Sequence, residues 1–286
     1  MNSTDKPLSG RVCIVTGANT GIGKVTAAAL AAQGAHVFVA CRNADKAKVA
    51  IDEITEKTGG KLEFLSLDLA NLKSVRDAAN EFLAKDLPLH ILVNNAGLAG
   101  SRGMTDDGFE LAFGVNHLGP FLFTSLLLDL LKTSAPARIV NVASRAHYDA
   151  KELRFDCLQQ KTASFTGMPE YRCSKLANVL FSSELARRLS DTEVNCYSLH
   201  PGVVASDIWH RVPLPFRGLM KCFMITVEEG AQTSIYCASS DKCRDESGLY
   251  YDCSATKTPS KAGQDAELAA ELWRRSEEWV SELTQP

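Results

Sequence analysis

Short runs of mostly apolar, often β-branched residues alternate with longer amphipathic stretches along this chain. Buried strands of a parallel sheet are near-continuous apolar runs, whereas surface helices repeat their apolar positions with the helical period. We therefore predict strands over residues 11–16, 36–40, 62–67, 90–93, 138–142, 194–199 and 249–251. Helices are predicted over 24–33, 44–58, 72–85, 107–131, 170–189, 227–238 and 266–283.

Strands that alternate with helices predict an α/β fold with one doubly wound parallel sheet and helices on both faces. The chain has no internal repeat and no linker, so we expect a single domain over residues 1–286. The pattern is lost over 203–226, where apolar residues are mixed with arginines and a lysine. We interpret this insertion either as a substrate lid over the ligand site or as a small satellite cluster of core.

Composition and charge exclude several classes of protein. The net charge is −3 and 45% of residues are hydrophobic, which argues against a nucleic-acid partner or a strong electrostatic membrane patch. Nine cysteines are scattered without Cys-x-x-Cys spacing, so we predict reduced thiols in a cytoplasmic protein and no metal site. Residues 1–10 are polar and the stretch 121–131 is short, so we expect neither a signal peptide nor a transmembrane segment.

A glycine-rich turn joins the first predicted strand to an alanine-rich helix. Glycines at such a turn let the backbone approach a pyrophosphate, which sits on the N-terminus of the helix. The spacing is Gly-x-x-x-Gly-x-Gly, and a plain tight connection is the alternative. Its place at the first strand of an alternating chain favours dinucleotide binding. We predict cofactor contacts from Gly17, Asn19, Thr20, Gly21, Ile22 and Gly23.

The second predicted strand ends in Arg42, where an NAD enzyme usually carries an acidic residue for the ribose hydroxyls. A guanidinium can pair with a 2′-phosphate, which an acid would repel. Lys24 could add a second positive charge. We therefore predict NADP as the cofactor, the alternative being that Arg42 is a solvated residue at a strand end. Asp68 and Leu69, after the third strand, are expected near the adenine.

Small and polar residues follow three later strands at their carboxyl ends, the edge where open parallel sheets bind ligands. Ser144 follows the fifth strand. Further cofactor contacts are expected from Asn94, Ala96, Gly97, Pro201, Gly202 and Val204. Asn116 lies inside a predicted helix, where asparagine competes for backbone hydrogen bonds. We expect it either to be exposed or to mark a helix irregularity that binds water.

Tyr171 and Lys175 lie four residues apart in a predicted helix and so share one face. An ammonium group beside a phenol favours the phenolate, so we expect Lys175 to lower the pKa of Tyr171. Tyr171 is then a candidate general acid/base for an alcohol or carbonyl oxygen. In isolation, such a pair is more often a half-buried ring beside a lysine whose stem covers apolar surface.

The order and spacing of these motifs along nearly the whole chain resemble the short-chain dehydrogenase/reductase family. Segments 174–181, 200–204 and 229–234, with Arg42, are similar to the retinol dehydrogenase branch that prefers NADP. That branch includes members with an apolar N-terminal anchor, which residues 1–10 do not resemble. Residues 205–207, Ala-Ser-Asp, lack the basic residue that is common at this place in the family.

The resemblance implies a role for each member of the catalytic set. Tyr171 would exchange a proton with the substrate oxygen, and Ser144 would hydrogen-bond that same oxygen. Lys175 would lower the pKa of Tyr171 and bind the nicotinamide ribose. Asn116 would hold a water that connects Lys175 to solvent. The cofactor would supply or take the hydride.

The leading hypothesis is an NADP(H)-dependent oxidoreductase that interconverts an apolar alcohol and its aldehyde or ketone, with a retinoid or a lipid aldehyde as substrate. A steroid or xenobiotic carbonyl is the alternative substrate. A cofactor-binding sensor or scaffold is the alternative from another class of protein. The sequence leaves open a homo-oligomer and a peripheral contact of the apolar insertion with a membrane.

Overall fold

The computed structural model describes residues 6–150, 152–202 and 225–282, which form an eight-stranded sheet in the order β3-β2-β1-β4-β5-β6-β7-β8. The strands β1 to β7 pair in parallel and β8 is antiparallel to β7. Their bounds are β1 Val12–Thr16, β2 His36–Cys41, β3 Lys61–Ser66, β4 Ile91–Asn94, β5 Ala137–Val142, β6 Val194–His200, β7 Tyr250–Asp252 and β8 Ala255–Thr256. The sequence did not predict β8, because two residues are too few to show a period.

The longer helices correspond to the predicted ones. They are α1 Gly21–Ala32, α2 Ala44–Thr58, α3 Leu72–Leu83, α4 Leu111–Thr133, α5 Met168–Arg188, α6 Val227–Ser239 and α7 Ala266–Glu282. Helix α1 begins three residues earlier than predicted, so the last two glycines of the turn lie in its first turn. Val204 and nearly all of the predicted lid lie outside the described residues, whose second range ends at residue 202.

Two separate apolar cores cover the two faces of the sheet, which confirms the doubly wound fold. Successive strand residues point to opposite faces. Ile14 and Phe38 contribute to the core beneath α3, α4, α5 and α7. Cys13 and Val37, their neighbours in the chain, contribute to the core beneath α1, α2 and α6.

The strand order reverses between β1 and β4, because β2 and β3 extend the sheet on one side and β5 to β7 on the other. At such a point the connections leave the carboxyl edge in opposite directions and open a crevice. The glycine turn after β1 and the loop after β4 border this crevice. It is therefore the place where the fold can bind a ligand.

Helix α4 contains a π-helical turn at Gly114–Leu118, between α-helical segments Leu111–Phe113 and Gly119–Thr133. Asn116 lies inside this turn and is only 1% exposed. The expectation of a helix irregularity at Asn116 is therefore confirmed, and the alternative of an exposed side chain is wrong.

By length and apolar composition α4 is long enough to cross a membrane, although the apolar stretch 121–131 within it was expected to be too short. In the fold, 72% of its most apolar window is buried. Phe121, Leu127 and Leu131 pack within the core on one face of the sheet. Helix α4 therefore has the burial of a core helix.

Candidate active site

Close backbone packing explains two of the glycines in the turn after β1. A Cβ on Gly17 would lie 2.9 Å from Cα of Ala96, and its φ is +67°. A Cβ on Gly23 would lie 2.4 Å from Nδ2 of Asn95 and 2.5 Å from the carbonyl oxygen of Gly17. Only glycine fits at these two positions, so the turn is pressed against the loop after β4.

The open side of the same turn suits an anionic ligand. Gly21 has a φ of +56°, and a Cβ there would have no described atom within 4 Å. Thr20 precedes α1, and its side chain makes no capping hydrogen bond to the first turn. The amide groups at a helix start attract phosphate through their unpaired N–H groups and the helix dipole. These residues therefore fit a dinucleotide pyrophosphate.

Asn95 holds the loop after β4 against β1. Its amide Nδ2 donates to the carbonyl oxygen of Thr16 at 2.8 Å. The hydroxyl of Thr16 accepts from the backbone N–H groups of Asn95 and Ala96 at 3.0 and 2.9 Å. The Asn94 side chain instead donates to Thr124 and Asn141 within the core. The side chain of Asn94 is therefore directed away from the crevice.

Arg42 is available at the end of β2. Its side chain is 71% exposed and lies 3.7 Å from the carboxylate of Asp68, a distance typical of a loose surface pair. Lys24 is instead paired with Glu53 of α2, so the expected second positive charge is already neutralised by that carboxylate. Leu69 is buried in the core, and of the two residues expected near the adenine only Asp68 has an accessible side chain.

Lys175 is buried, and its ammonium group donates to the carbonyl oxygen of Val142 at 2.8 Å. This bond ties α5 to the carboxyl end of β5. Burial lowers the pKa of Lys175 to about 8, because the charged form loses hydration. Lys175 is therefore still mostly charged at neutral pH, but its pKa lies much closer to neutral pH than that of a surface lysine.

Burial raises the pKa of Tyr171, and a hydrogen bond with the Ser144 hydroxyl acts in the opposite direction. The expectation that the pKa of Tyr171 falls from its ordinary value towards neutral pH is therefore wrong. Lys175 lies near the Tyr171 ring, but desolvation of the phenolate is the larger effect. In this environment Tyr171 holds its proton.

Ser144 comes two residues after β5 and caps the short 3₁₀ turn Arg145–Asp149. Its hydroxyl accepts from the backbone N–H of Ala146 at 3.2 Å. Its carbonyl oxygen is bound to Nδ1 of His147 at 2.7 Å. Together with the contact to Tyr171, these bonds place the Ser144 hydroxyl beside the phenol.

Asn116 connects the π-helical turn to α5. Its amide Nδ2 donates to the hydroxyl of Ser174 at 2.9 Å and to the carbonyl oxygen of Leu98 at 3.0 Å. Its Oδ1 accepts from the N–H of Leu98 at 2.9 Å. A Cβ on Gly97 would lie 3.0 Å from this oxygen and 3.4 Å from Nζ of Lys175. Gly97, Asn116 and Lys175 thus meet at one place.

The sixth strand completes the edge. Gly202, after Pro201, has a φ of +90°, and a Cβ there would lie 2.2 Å from Cδ1 of Ile225.

The structure brings the predicted residues Ser144, Tyr171, Lys175 and Asn116 together beside the crevice. Within the described part of the chain, no group of three His, Cys, Asp or Glu side chains is placed to hold a metal ion.

Four residues that support this site were missed by the sequence reasoning: Thr16, Asn95, His147 and Ser174. Ser174 and Asn95 lie inside motifs that were recognised, so their positions were a usable signal. The bonds of Thr16 and His147 reach residues far along the chain, and no local pattern marks them.

Comparisons with known proteins agree with this geometry. A family model described as short chain dehydrogenase matches residues 11–154. Retinol dehydrogenase 11 of Mus musculus is 46% identical over 271 residues, which cover 93% of this chain and 85% of that protein.

Among solved structures, an uncharacterised protein from Mycobacterium paratuberculosis is similar with a TM-score of 0.78 and 32% identity, over 98% of this chain and 97% of that one. A protein described as an NAD(P)-dependent gluconate 5-dehydrogenase, from Beutenbergia cavernae with NADP bound, has a TM-score of 0.70 and 26% identity. That match covers 86% of this chain and 96% of the other.

Proposed function

The chain belongs to the short-chain dehydrogenase family, and on that premise we propose that it is an NADP(H)-dependent oxidoreductase that interconverts an apolar alcohol and its aldehyde or ketone. The likeness to a retinol dehydrogenase supports an oxidoreductase acting on alcohols or carbonyls. Retinal and lipid aldehydes are the first substrates to test.

One observation carries the proposal. A phenol, a hydroxyl, a buried ammonium group and a buried amide lie together at the carboxyl edge of the sheet, next to a turn that fits a pyrophosphate. The members are Tyr171, Ser144, Lys175 and Asn116. A structural role alone would not require two buried polar groups, Lys175 and Asn116, at the mouth of a crevice.

Each residue has a distinct task in carbonyl reduction. NADPH, when bound, supplies the hydride. Tyr171 holds its proton, because burial raises its pKa, and can donate it to the oxygen that gains negative charge. The Ser144 hydroxyl accepts from Ala146 and lies beside the phenol, so a substrate oxygen that enters between them can receive the Ser144 hydrogen. In alcohol oxidation the proton passes in the opposite direction.

Lys175 and Asn116 support these two groups. Lys175 places a positive charge beside Tyr171, which stabilises the phenolate formed after proton transfer. Its lowered pKa makes Lys175 able to return a proton near neutral pH. Asn116 fixes Ser174, one residue before Lys175, and so holds this turn of α5 against the loop that carries Gly97.

Arg42 supports NADP as the cofactor. It is exposed at the end of β2, on the side of the crevice where the ribose of the adenosine half would lie. Guanidinium and phosphate form strong, charge-assisted hydrogen bonds. The bound NADP of the Beutenbergia cavernae protein is consistent with this cofactor class.

The test is consumption of NADPH and of NADH by the purified protein with all-trans-retinal, medium-chain aldehydes and steroid ketones. We expect turnover of retinal or an aldehyde, faster with NADPH than with NADH. Turnover of steroid ketones alone would change the substrate class. NADPH binding without turnover of any compound would contradict the enzymatic proposal and favour a cofactor-binding sensor.

A further inference from the structure

One buried imidazole connects the turn that carries Ser144 to the C-terminal part of the chain. His147 is completely buried, with its Nδ1 2.7 Å from the carbonyl oxygen of Ser144. Its Nε2 lies 3.1 Å from the backbone N–H of Ser260, which is 113 residues further along the chain. The two bonds leave opposite sides of the same ring.

These partners determine which nitrogen carries the proton. A backbone N–H can only donate, so Nε2 of His147 must accept from Ser260. The proton of the neutral ring therefore sits on Nδ1 and is donated to the carbonyl oxygen of Ser144. Burial lowers the pKa of His147, which keeps the ring in this neutral form at physiological pH.

Neighbouring rings fix the orientation of the imidazole. The ring centroid of Tyr148 lies 4.1 Å away, and that of Tyr250 lies 4.8 Å away in an edge-to-face arrangement. A ring packed against two aromatic neighbours cannot turn without losing that packing. Because His147 is held in this way, its bond to Ser144 has a fixed direction.

We propose that His147 is a positioning residue for Ser144. It holds the Ser144 carbonyl and thereby sets the direction in which the Ser144 hydroxyl faces the substrate oxygen. The side chain of serine is short and has one rotatable bond to its hydroxyl, so a change of the Ser144 backbone moves that oxygen directly. The proposal rests on the proposed function in one respect, which is that Ser144 contacts the substrate.

The chain offers a matched control in the adjacent residue. The hydroxyl of Tyr148 donates to the carbonyl oxygen of Thr258 at 2.5 Å. This bond ties the same turn to the same C-terminal segment without contacting Ser144. Removal of the Tyr148 hydroxyl bond therefore measures how much a purely structural connection contributes to kcat. Tyr148→Phe is therefore the control for substitutions of His147.

Two substitutions separate the bonds of His147. In His147→Asn the side-chain amide nitrogen takes the place of Nδ1 and can still donate to Ser144. In His147→Gln the longer side chain places its amide oxygen near Ser260 and leaves the Ser144 carbonyl without its donor. We expect His147→Gln to lower kcat by about ten- to a hundredfold, since small misplacement of a reacting group has effects of this size.

The expected pattern is specific. His147→Asn and Tyr148→Phe should retain kcat within about threefold, and the Kd of NADPH should be unchanged in all three variants. Equal losses of kcat in His147→Gln and Tyr148→Phe would overturn the proposal. So would a loss in His147→Asn as large as in His147→Gln. Thermal melting identifies any variant that does not fold.

A double-mutant cycle tests the link to Ser144. If His147 acts through Ser144, His147→Gln should cause no further loss of kcat in the Ser144→Ala background. If the losses of kcat from the two single substitutions add fully in the double variant, the proposal is overturned. Unchanged turnover in both Ser144→Ala and Tyr171→Phe would instead contradict the proposed catalytic roles, which is a different failure.

A measurement without turnover completes the test. The ¹⁵N shifts of His147 in the full-length protein should show Nδ1 protonated and Nε2 unprotonated between about pH 6 and 8, a range that includes the ordinary histidine pKa. A ring protonated on Nε2 would overturn the proposal, whatever the substrate of the enzyme.

Discussion

Lys175 lies with its ammonium nitrogen 5.8 Å from the centroid of the Tyr171 ring, one helical turn away on α5. The hydrogen bond of that nitrogen goes to Val142, at the end of β5, at 2.8 Å. Ser144 follows Val142 by two residues. One lysine therefore fixes the spacing between the helix that carries the phenol and the strand that carries the hydroxyl.

We predict that Tyr171→Phe lowers kcat by at least about a hundredfold, because general acid/base groups contribute a factor of this size or more. Affinity for NADPH should persist, since only the hydroxyl is removed. Turnover and the Kd of NADPH are the two measurements. Turnover close to that of the wild type would remove Tyr171 from the mechanism.

Lys175 should make stability depend on pH. Its pKa is lowered from 10.5 to about 8 in the folded chain, so the unfolded chain binds more protons between these two values. Stability from this group therefore rises with pH across that range, and below it the cost of burying the charge is fully present. The gain should be about 2 kcal/mol between about pH 8 and 10.

The measurement is urea unfolding of the wild type and of Lys175→Met across that pH range. Tyr171 titrates at higher pH in both proteins, so the difference between the two curves isolates the lysine. The wild type should gain stability relative to the variant as pH rises. Parallel curves would contradict the lowered pKa of Lys175.

Arg42→Asp should weaken NADPH binding about ten- to a hundredfold and leave NADH binding nearly unchanged, because a charge-assisted pair to the 2′-phosphate is lost. Lys24→Gln is the matched control, since Lys24 is already paired with Glu53. Lys24→Gln should weaken NADPH binding less than Arg42→Asp does. Equal losses for both cofactors in Arg42→Asp would mean that Arg42 does not contact the phosphate.

Gly23→Ala should abolish cofactor binding and lower the free energy of unfolding by about 1–3 kcal/mol, a typical cost of overpacking. The added Cβ would lie 2.4 Å from Asn95 and 2.5 Å from a backbone oxygen of Gly17. Gly10→Ala is the control, because a Cβ there has no described atom within 4 Å. It has a φ of +79°, so it should lose stability through strain but retain NADPH affinity.

The sheet, its helices and the placement of the candidate site follow from the sequence because they depend on local patterns. Apolar runs identify the strands, and asparagine at position 116 is unfavourable enough in a helix to mark the π-helical turn. Ser144, Tyr171 and Lys175 come together because each follows a strand or faces the sheet edge. Periodicity and topology placed these residues at one edge of the sheet, and the resemblance to a known family was needed to select them as a set.

The sequence could not supply what depends on side-chain direction and burial. Asn94 and Asn95 are adjacent, and only the strand register decides that one enters the core while the other supports the turn. Whether the pKa of Tyr171 is raised or lowered depends on desolvation, which the spacing of residues does not reveal. Lys24 meets Glu53 through the packing of two helices.

The attachment of the Ser144 turn to Ser260 has a consequence for biosynthesis. A ribosome releases the glycine turn, Ser144, Tyr171 and Lys175 long before it adds residue 260. Until then the imidazole of His147 lacks its second partner, and α5 lacks the cover of α7, whose Trp273 packs against Phe181. A chain terminated before residue 260 would therefore contain Ser144, Tyr171 and Lys175 but lack the bond that holds the turn carrying Ser144 to the C-terminal segment.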